Sequence, residues 1–157
     1  MTSEEILKKE NIYFGQETIN GIPCSIGYIK KFKWSWLATQ LNTFVIIGKT
    51  NDKIDKQVME AFSKSCFEYA SKNNKGWPRG FQAAVGSIAI LQGNNIDNEA
   101  IVFCEKFSKK HWSAFEIPVL YSIDEKKSIR FTSTPIWGTI YFPFFIKTID
   151  NITKLLG

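Results

Sequence analysis

Cys104 and His111 lie seven residues apart, and on one continuous helix they would share a face with Ser108. A thiol and an imidazole so placed could serve as nucleophile and base. Seven residues rise about 10.5 Å along a helix, too far for a direct hydrogen bond, so the pair needs a bend or a bridging water. The structural alternative is a histidine at a helix C-terminus beside Lys109 and Lys110, where the dipole favours it. His111 is the only histidine, and Cys24, Cys66 and Cys104 are widely spaced. That pattern gives neither a zinc site nor a disulfide framework, implies no metal or other cofactor, and points to a reducing compartment.

Gly76-Trp77-Pro78-Arg79-Gly80-Phe81 is the most unusual segment. Two glycines, a proline and two aromatics surround one of the chain's two arginines, the composition of a shaped loop able to hold a ligand. Arg79 could bind a carboxylate or phosphate; alternatively Trp77 and Phe81 plug the end of a core while Arg79 caps helix carbonyls. The spacing is not that of a nucleotide-cradling loop. Glu116 is the one acid between Lys110 and Ile123. If its strand face is covered it must be paired, with Arg79 or Arg130 as partner; Pro118 argues for an edge strand, and so for an open face and a solvated carboxylate.

The elements that must position these residues follow from pattern and punctuation. Thr2 and Glu5 form a capping-box pattern opening a helix to about Lys9. Ile12–Ile19 and Ile22–Phe32 flank Asn20-Gly21, the signature of a type I′ hairpin, with Ile19 opposite Ile22, Glu17 opposite Cys24, Gly15 opposite Ile26 and Tyr13 opposite Tyr28. A turn near Trp34-Ser35 leads into a strand over Trp36–Gly48 whose end is apolar on both faces. Asn51 or Asp52 caps a helix with Ile54, Val58, Phe62, Ser65 and Tyr69 as its inner stripe. A buried strand over Ala84–Gln92 follows, then a helix capped by Asp97 with Ala100, Cys104 and Phe107 inward. The last elements are an alternating strand over Ala114–Ile123, a charged turn at Asp124–Lys127, a strand over Ser128–Thr132 and a helix from Pro143. The fold predicted is α+β: one domain over residues 1–157, a mixed sheet of five or six strands with helices packed on it. An N-terminal antiparallel meander is followed by β-α-β-α-β-β-α.

The leading order α, β, β, β, α, β resembles that of restriction-endonuclease-like cores, whose chemistry needs an Asp ahead of a Glu-x-Lys on neighbouring strands. The second and third predicted strands hold no acid, and Glu125-Lys126-Lys127 has the spacing but falls in a turn. The likeness is one of element order alone.

Composition narrows the function classes. The 157 residues are 44% hydrophobic and 22% charged, which excludes a disordered or fibrous chain. The net charge of +5 would suit nucleic acid, yet 18 of the 20 bases are scattered lysines, so sequence-specific nucleic-acid binding is not expected. Acid rather than base at the start, with no apolar run behind it, and apolar stretches too short to span a bilayer give a cytoplasmic protein without a membrane partner. Trp34, Trp36, Trp112 and Trp137 are assigned with Tyr141, Phe142, Phe144 and Phe145 to the core, and part of Ile136–Ile146 to a homodimer surface. The reading is a non-enzymatic binding or regulatory domain. The alternative is an enzyme or small-ligand receptor with a pocket formed by Trp77, Arg79, His111, Trp112 and Glu116.

Overall fold

The computed structural model describes residues 1–78, 82–106, 109–111, 114–133 and 139–157, with 109–111 described as backbone alone. Helix α1 (Ser3–Lys9) opens on the expected capping box: Glu5 N–H donates to Thr2 Oγ1 at 3.2 Å and Thr2 N–H to Glu5 Oε2 at 2.7 Å. Strands β1 (Tyr13–Ile19) and β2 (Ile22–Lys33) are joined through Asn20 and Gly21 at φ +52° and +76°, the two positive angles a type I′ turn requires. The predicted register holds from Ile19–Ile22 to Gly15–Ile26; then Phe14 is an extra residue and Tyr13 meets Gly27 rather than Tyr28.

A 3₁₀ turn (Trp34–Trp36) precedes β3 (Thr39–Lys49), so this strand begins three residues later than expected. Next come α2 (Lys56–Asn73), β4 (Ala83–Gly93), α3 (Asn98–Lys106), β5 (Lys109–His111), β6 (Ala114–Ser122), β7 (Lys127–Ile129) and α4 (Phe142–Leu156). The sheet runs β1-β2-β3-β4-β6-β5, with β7 also on β6. β1, β2 and β3 form the antiparallel meander, whereas β3, β4 and β6 are mutually parallel.

Helices cover both faces. Phe62, Cys66 and Ala70 of α2 and Ala100 and Cys104 of α3 pack on Ile26, Phe44, Ile46, Ala89 and Leu120. On the other face, Ile6 and Leu7 of α1 and Phe142, Phe145, Ile149 and Ile152 of α4 pack on Val45, Ile88, Ile117 and Val119. β3 and β4, buried from end to end except Lys49, are the double-sided strands their unbroken apolar runs implied.

Three local expectations need correction. The cap of α2 is Asp55, whose Oδ1 accepts the Val58 N–H at 2.8 Å. Ile54 instead makes a parallel bridge to Ile96, so the inner face turns to Met59, Phe62, Ser63, Cys66, Phe67 and Ala70. Helix α3 ends at Lys106 and His111 sits on β5, so Cys104 and His111 share no helix face. Lastly, both faces of β6 are covered, and Glu116 is 4% exposed rather than solvated. Pro118 does not make β6 an edge strand either, since β4 lies on one side and β5 and β7 on the other. Ile123 donates its N–H to Gly93 O of β4, so even-numbered residues of β6 face away from β4. Pro118 falls there between the residues paired to β5 (Ala114–Glu116) and those paired to β7 (Leu120–Ser122), where no donor is needed.

Candidate functional site

The β2–β3 end of the sheet carries an exposed aromatic cluster, and the local backbone explains it. Lys33 is extended, Trp34–Trp36 make one 3₁₀ turn, and Leu37 and Ala38 both adopt left-handed angles, φ +55° and +56°, before β3 starts. Residues two apart in a 3₁₀ turn project about 120° from one another, so Trp34 and Trp36 cannot both face inward. Trp36 is the buried one, meeting Tyr141 and Phe144 edge-on at 5.4 and 5.5 Å, with Lys33 Nζ 5.0 Å above its ring. Trp34 is 81% exposed and Leu37 84%.

Phe32 and Trp77 complete the cluster. The Phe32 ring meets Trp34 at 5.3 Å and 84°, and Trp77 at 6.3 Å and 68°. Trp77 is held from behind by a polar chain: its N–H donates to Gln40 Oε1 at 2.9 Å, Asn42 Nδ2 donates to the same oxygen at 3.3 Å, and Tyr28 Oη donates to Asn42 Oδ1 at 2.7 Å. Burial pushes the Tyr28 phenol up. The preceding residue must be glycine, because a Cβ on Gly76 would lie 2.2 Å from Asn42 Oδ1. Lys30, Lys31, Lys33 and Lys75 are exposed, with the ammonium groups of Lys31, Lys33 and Lys75 over the rings of Phe144, Trp36 and Phe14, and no Asp or Glu occurs from residue 18 to residue 51.

Of the five residues proposed for a pocket, Arg79 and Trp112 lie outside the described residues. His111 is placed as backbone opposite Ala114. Trp77 and Glu116 are not brought together. Gln40, which holds Trp77, lies four positions before Phe44, and Phe44, Ser87 and Glu116 form one row across β3, β4 and β6. The separation is about 13 Å along the strands and about 10 Å across them. Glu116 faces α2, where Ser63 Oγ donates to its Oε1 at 3.2 Å.

The thiols offer no ready nucleophile. Burial holds Cys24 up at about 11 and Cys104 at about 12, and raises Cys66 well above the usual thiol range. Among the described residues no three of His, Cys, Asp and Glu are grouped to hold a metal ion, and no helix is long and apolar enough to cross a membrane. β2 and β3 carry no acid, so the restriction-endonuclease likeness stays one of element order.

Trp34 departs from the core position expected for it beside Trp36, and with it the exposed cluster lies outside the sequence expectation. Its signal was there: Lys30-Lys31-Phe32-Lys33-Trp34 interleaves lysines with aromatics inside an acid-free run. The assignment holds for Trp36, Phe142 and Phe145, all buried. Of the segment assigned to a dimer surface, residues 139–146 are described. Phe142 and Phe145 point into the core, Phe144 is half-buried, and Ile140 is 44% exposed. No family model, no curated protein and no solved structure matches the chain.

Proposed function

We propose that this chain is a binding domain rather than an enzyme, and that it docks an acidic protein segment on the cluster formed by Phe32, Trp34, Leu37 and Trp77. The observation that carries the reading is that Trp34 and Leu37 stand more than four-fifths exposed on a backbone that turns them outward. Large apolar side chains gathered in solvent mark interaction surfaces, and tryptophan is the residue type most enriched among those that dominate binding energy. Lys30, Lys31 and Lys33, which flank Phe32 in an acid-free stretch of sequence, set the partner's sign. Protein is favoured over single-stranded nucleic acid because the rings meet edge to face, at 84° and 68°, and offer no row of parallel faces for successive bases.

The test is a titration of Trp fluorescence with a glutamate–tyrosine copolymer, beside oligothymidylate, vesicles of anionic lipid, and the chain alone at rising concentration. The reading expects a saturable blue shift with the copolymer, weaker at about 200 mM than at about 50 mM salt, and absent in Trp34→Ala with Leu37→Ser. Tighter binding of oligothymidylate or vesicles, or self-association that the double variant abolishes, would replace the acidic protein with that occupant. No response to any probe would remove the docking surface.

A further inference from the structure

Strand β2 outruns the strand beside it. β1 pairs with it only from Ile22 to Gly27, whereas β3 pairs with it from Cys24 to Lys33 without a register shift. Tyr28 donates its N–H to Ile12 O at 2.7 Å, so even-numbered residues of β2 present both backbone groups to the β1 side. Beyond Tyr28 no strand lies on that side. The N–H and C=O of Lys30 and of Phe32 have no hydrogen-bond partner among the described residues, and residues 30–33 are exposed. A strand edge left open in this way is a template for one more strand. The outer edge of β1, by contrast, is partly closed by the chain itself, since Glu17 Oε1 accepts the Thr18 N–H at 3.0 Å.

Side chains of an added strand would alternate between the two faces of the sheet, and each face beside the open edge has a place for them. On the α4 side Ile12, Ile29, Phe144 and Ile152 line a hollow of about 170 Å³, with Glu10 as the one acid on its wall. An apolar side chain suits that hollow. On the α2 side stand Lys30 and Phe32, the latter 6.3 Å from Trp77. Lys30, Lys31 and Lys33 decide the occupant. Antiparallel self-pairing about Lys31 would set the lysines of one copy against those of the other, and like charges on facing strands are destabilising. An acidic strand meets the same row with opposite charge, and no Asp or Glu of residues 18–51 competes for it.

We infer that an acidic segment of a partner protein adds to the sheet as an extra strand along residues 30–32 of β2, with a carboxylate opposite Lys30 and an apolar side chain in the hollow beside Ile29. The inference rests on the docking surface proposed above and assigns the conformation of what docks there.

Amide hydrogen exchange followed residue by residue, with an octapeptide that alternates glutamate and valine, tests it. At saturation the Lys30 and Phe32 amides should slow by about tenfold or more, while Ile29 and Lys31, which face β3, change little. N-methylation of one alternating set of the peptide's amides should abolish binding and of the other set leave it, because only one set faces the ladder. Lys30→Ala should weaken binding about threefold through its charge, and Lys30→Pro about tenfold further through the lost N–H, at an edge position that tolerates proline. If Lys30→Pro does not fold, the exchange pattern and the methylated peptides decide. A tryptophan response to the glutamate–tyrosine copolymer without binding of the octapeptide, or binding without protection of Lys30 and Phe32, overturns the added strand and leaves the docking surface standing. Equal loss of binding with both methylated peptides overturns it as well. Protection that grows with protein concentration in the absence of peptide replaces the partner with a second copy, and no response to either probe removes both readings.

Discussion

Trp34 and Trp36 provide a matched pair, the same residue two positions apart with opposite burial, and truncating each measures whether the aromatic end is free surface. A fully buried tryptophan hides up to about 250 Å². Trp34, 81% exposed, hides about a fifth of that, some 50 Å², so at about 25 cal/mol/Å² its removal costs about 1 kcal/mol at most. Trp36, 3% exposed, hides nearly all of it. Area alone would give about 6 kcal/mol for Trp36, an upper bound because the unfolded chain is itself partly collapsed; core truncations of this kind cost about 3–5 kcal/mol. For a chain of this length about 2–4 °C accompany each kcal/mol. Trp34→Ala should therefore melt within about 4 °C of the wild type, and Trp36→Ala about 6–20 °C below it. Far-UV circular dichroism is the signal of choice for both the thermal and the urea transitions, because the variants remove fluorophores. Equal losses, or a Trp34→Ala cost of about 3 kcal/mol, would mean that Trp34 is packed and the docking surface does not exist.

The thiols give a pH prediction. Cys24 at about 11 and Cys104 at about 12 stay protonated in the fold while an unfolded thiol ionises near its ordinary 9.0. The unfolded chain thus binds fewer protons above pH 9, and stability should be level below that value and fall as pH rises through the folded values. A thiol-exchange reagent at pH 8 should react slowly with the native protein and fully in urea; rapid reaction of Cys24 or Cys104 in the native state would contradict this. Gly76→Ala, whose Cβ would fall within 2.2–2.4 Å of three Asn42 atoms, should cost about 1–3 kcal/mol in urea melts and shift the Trp77 emission; a neutral result would refute the tight approach. Leu37→Gly should raise stability by up to about 1 kcal/mol, relief of a left-handed leucine outweighing the extra freedom of unfolded glycine. It should weaken copolymer binding even so, and a destabilised variant would show that Leu37 packs.

What the sequence made legible was the part written in local signals. The capping box at Thr2, the Asn20-Gly21 turn and its register, the double-sided apolar runs of β3 and β4, and the alternation of β6 each depend on neighbours a few residues away. The structure has them all, the register as far as the Gly15–Ile26 pair. Illegible features depended on what packs from elsewhere. Whether the polar face of β6 is wet or dry is decided by α2, which brings Ser63 to Glu116 from 53 positions upstream. The stripe on α2 was offset because the Ile54–Ile96 bridge, a contact between two loops, takes Ile54 out of the helix and leaves Asp55 to cap it.

The docking reading rests on a comparison of costs at the β2–β3 end. Two consecutive left-handed non-glycine residues, Leu37 and Ala38, destabilise the fold by about 1–2 kcal/mol each, and a shorter turn or a glycine would avoid this. Leu37 returns almost nothing to the core, at 84% exposed, and Trp34 little more. The aromatic chemistry next door shows what the chain does when burial is the aim: Trp36, Phe115, Phe142 and Phe145 are all buried, with Phe115 meeting Phe142 and Phe145 at 6.0 and 5.2 Å and Trp36 meeting the half-buried Tyr141 and Phe144 at 5.4 and 5.5 Å. Backbone strain retained where it stabilises no core is the pattern of a segment shaped for something outside the chain. Gln40, Asn42 and Tyr28 extend the same logic beneath the surface, because they tie up buried hydrogen-bonding capacity to fix the backbone of Trp77, itself 47% exposed beside Phe32. A rigid mount for a half-exposed ring lowers the entropy lost when a partner covers it, which is the physical advantage of building such a surface on the sheet rather than on a free loop.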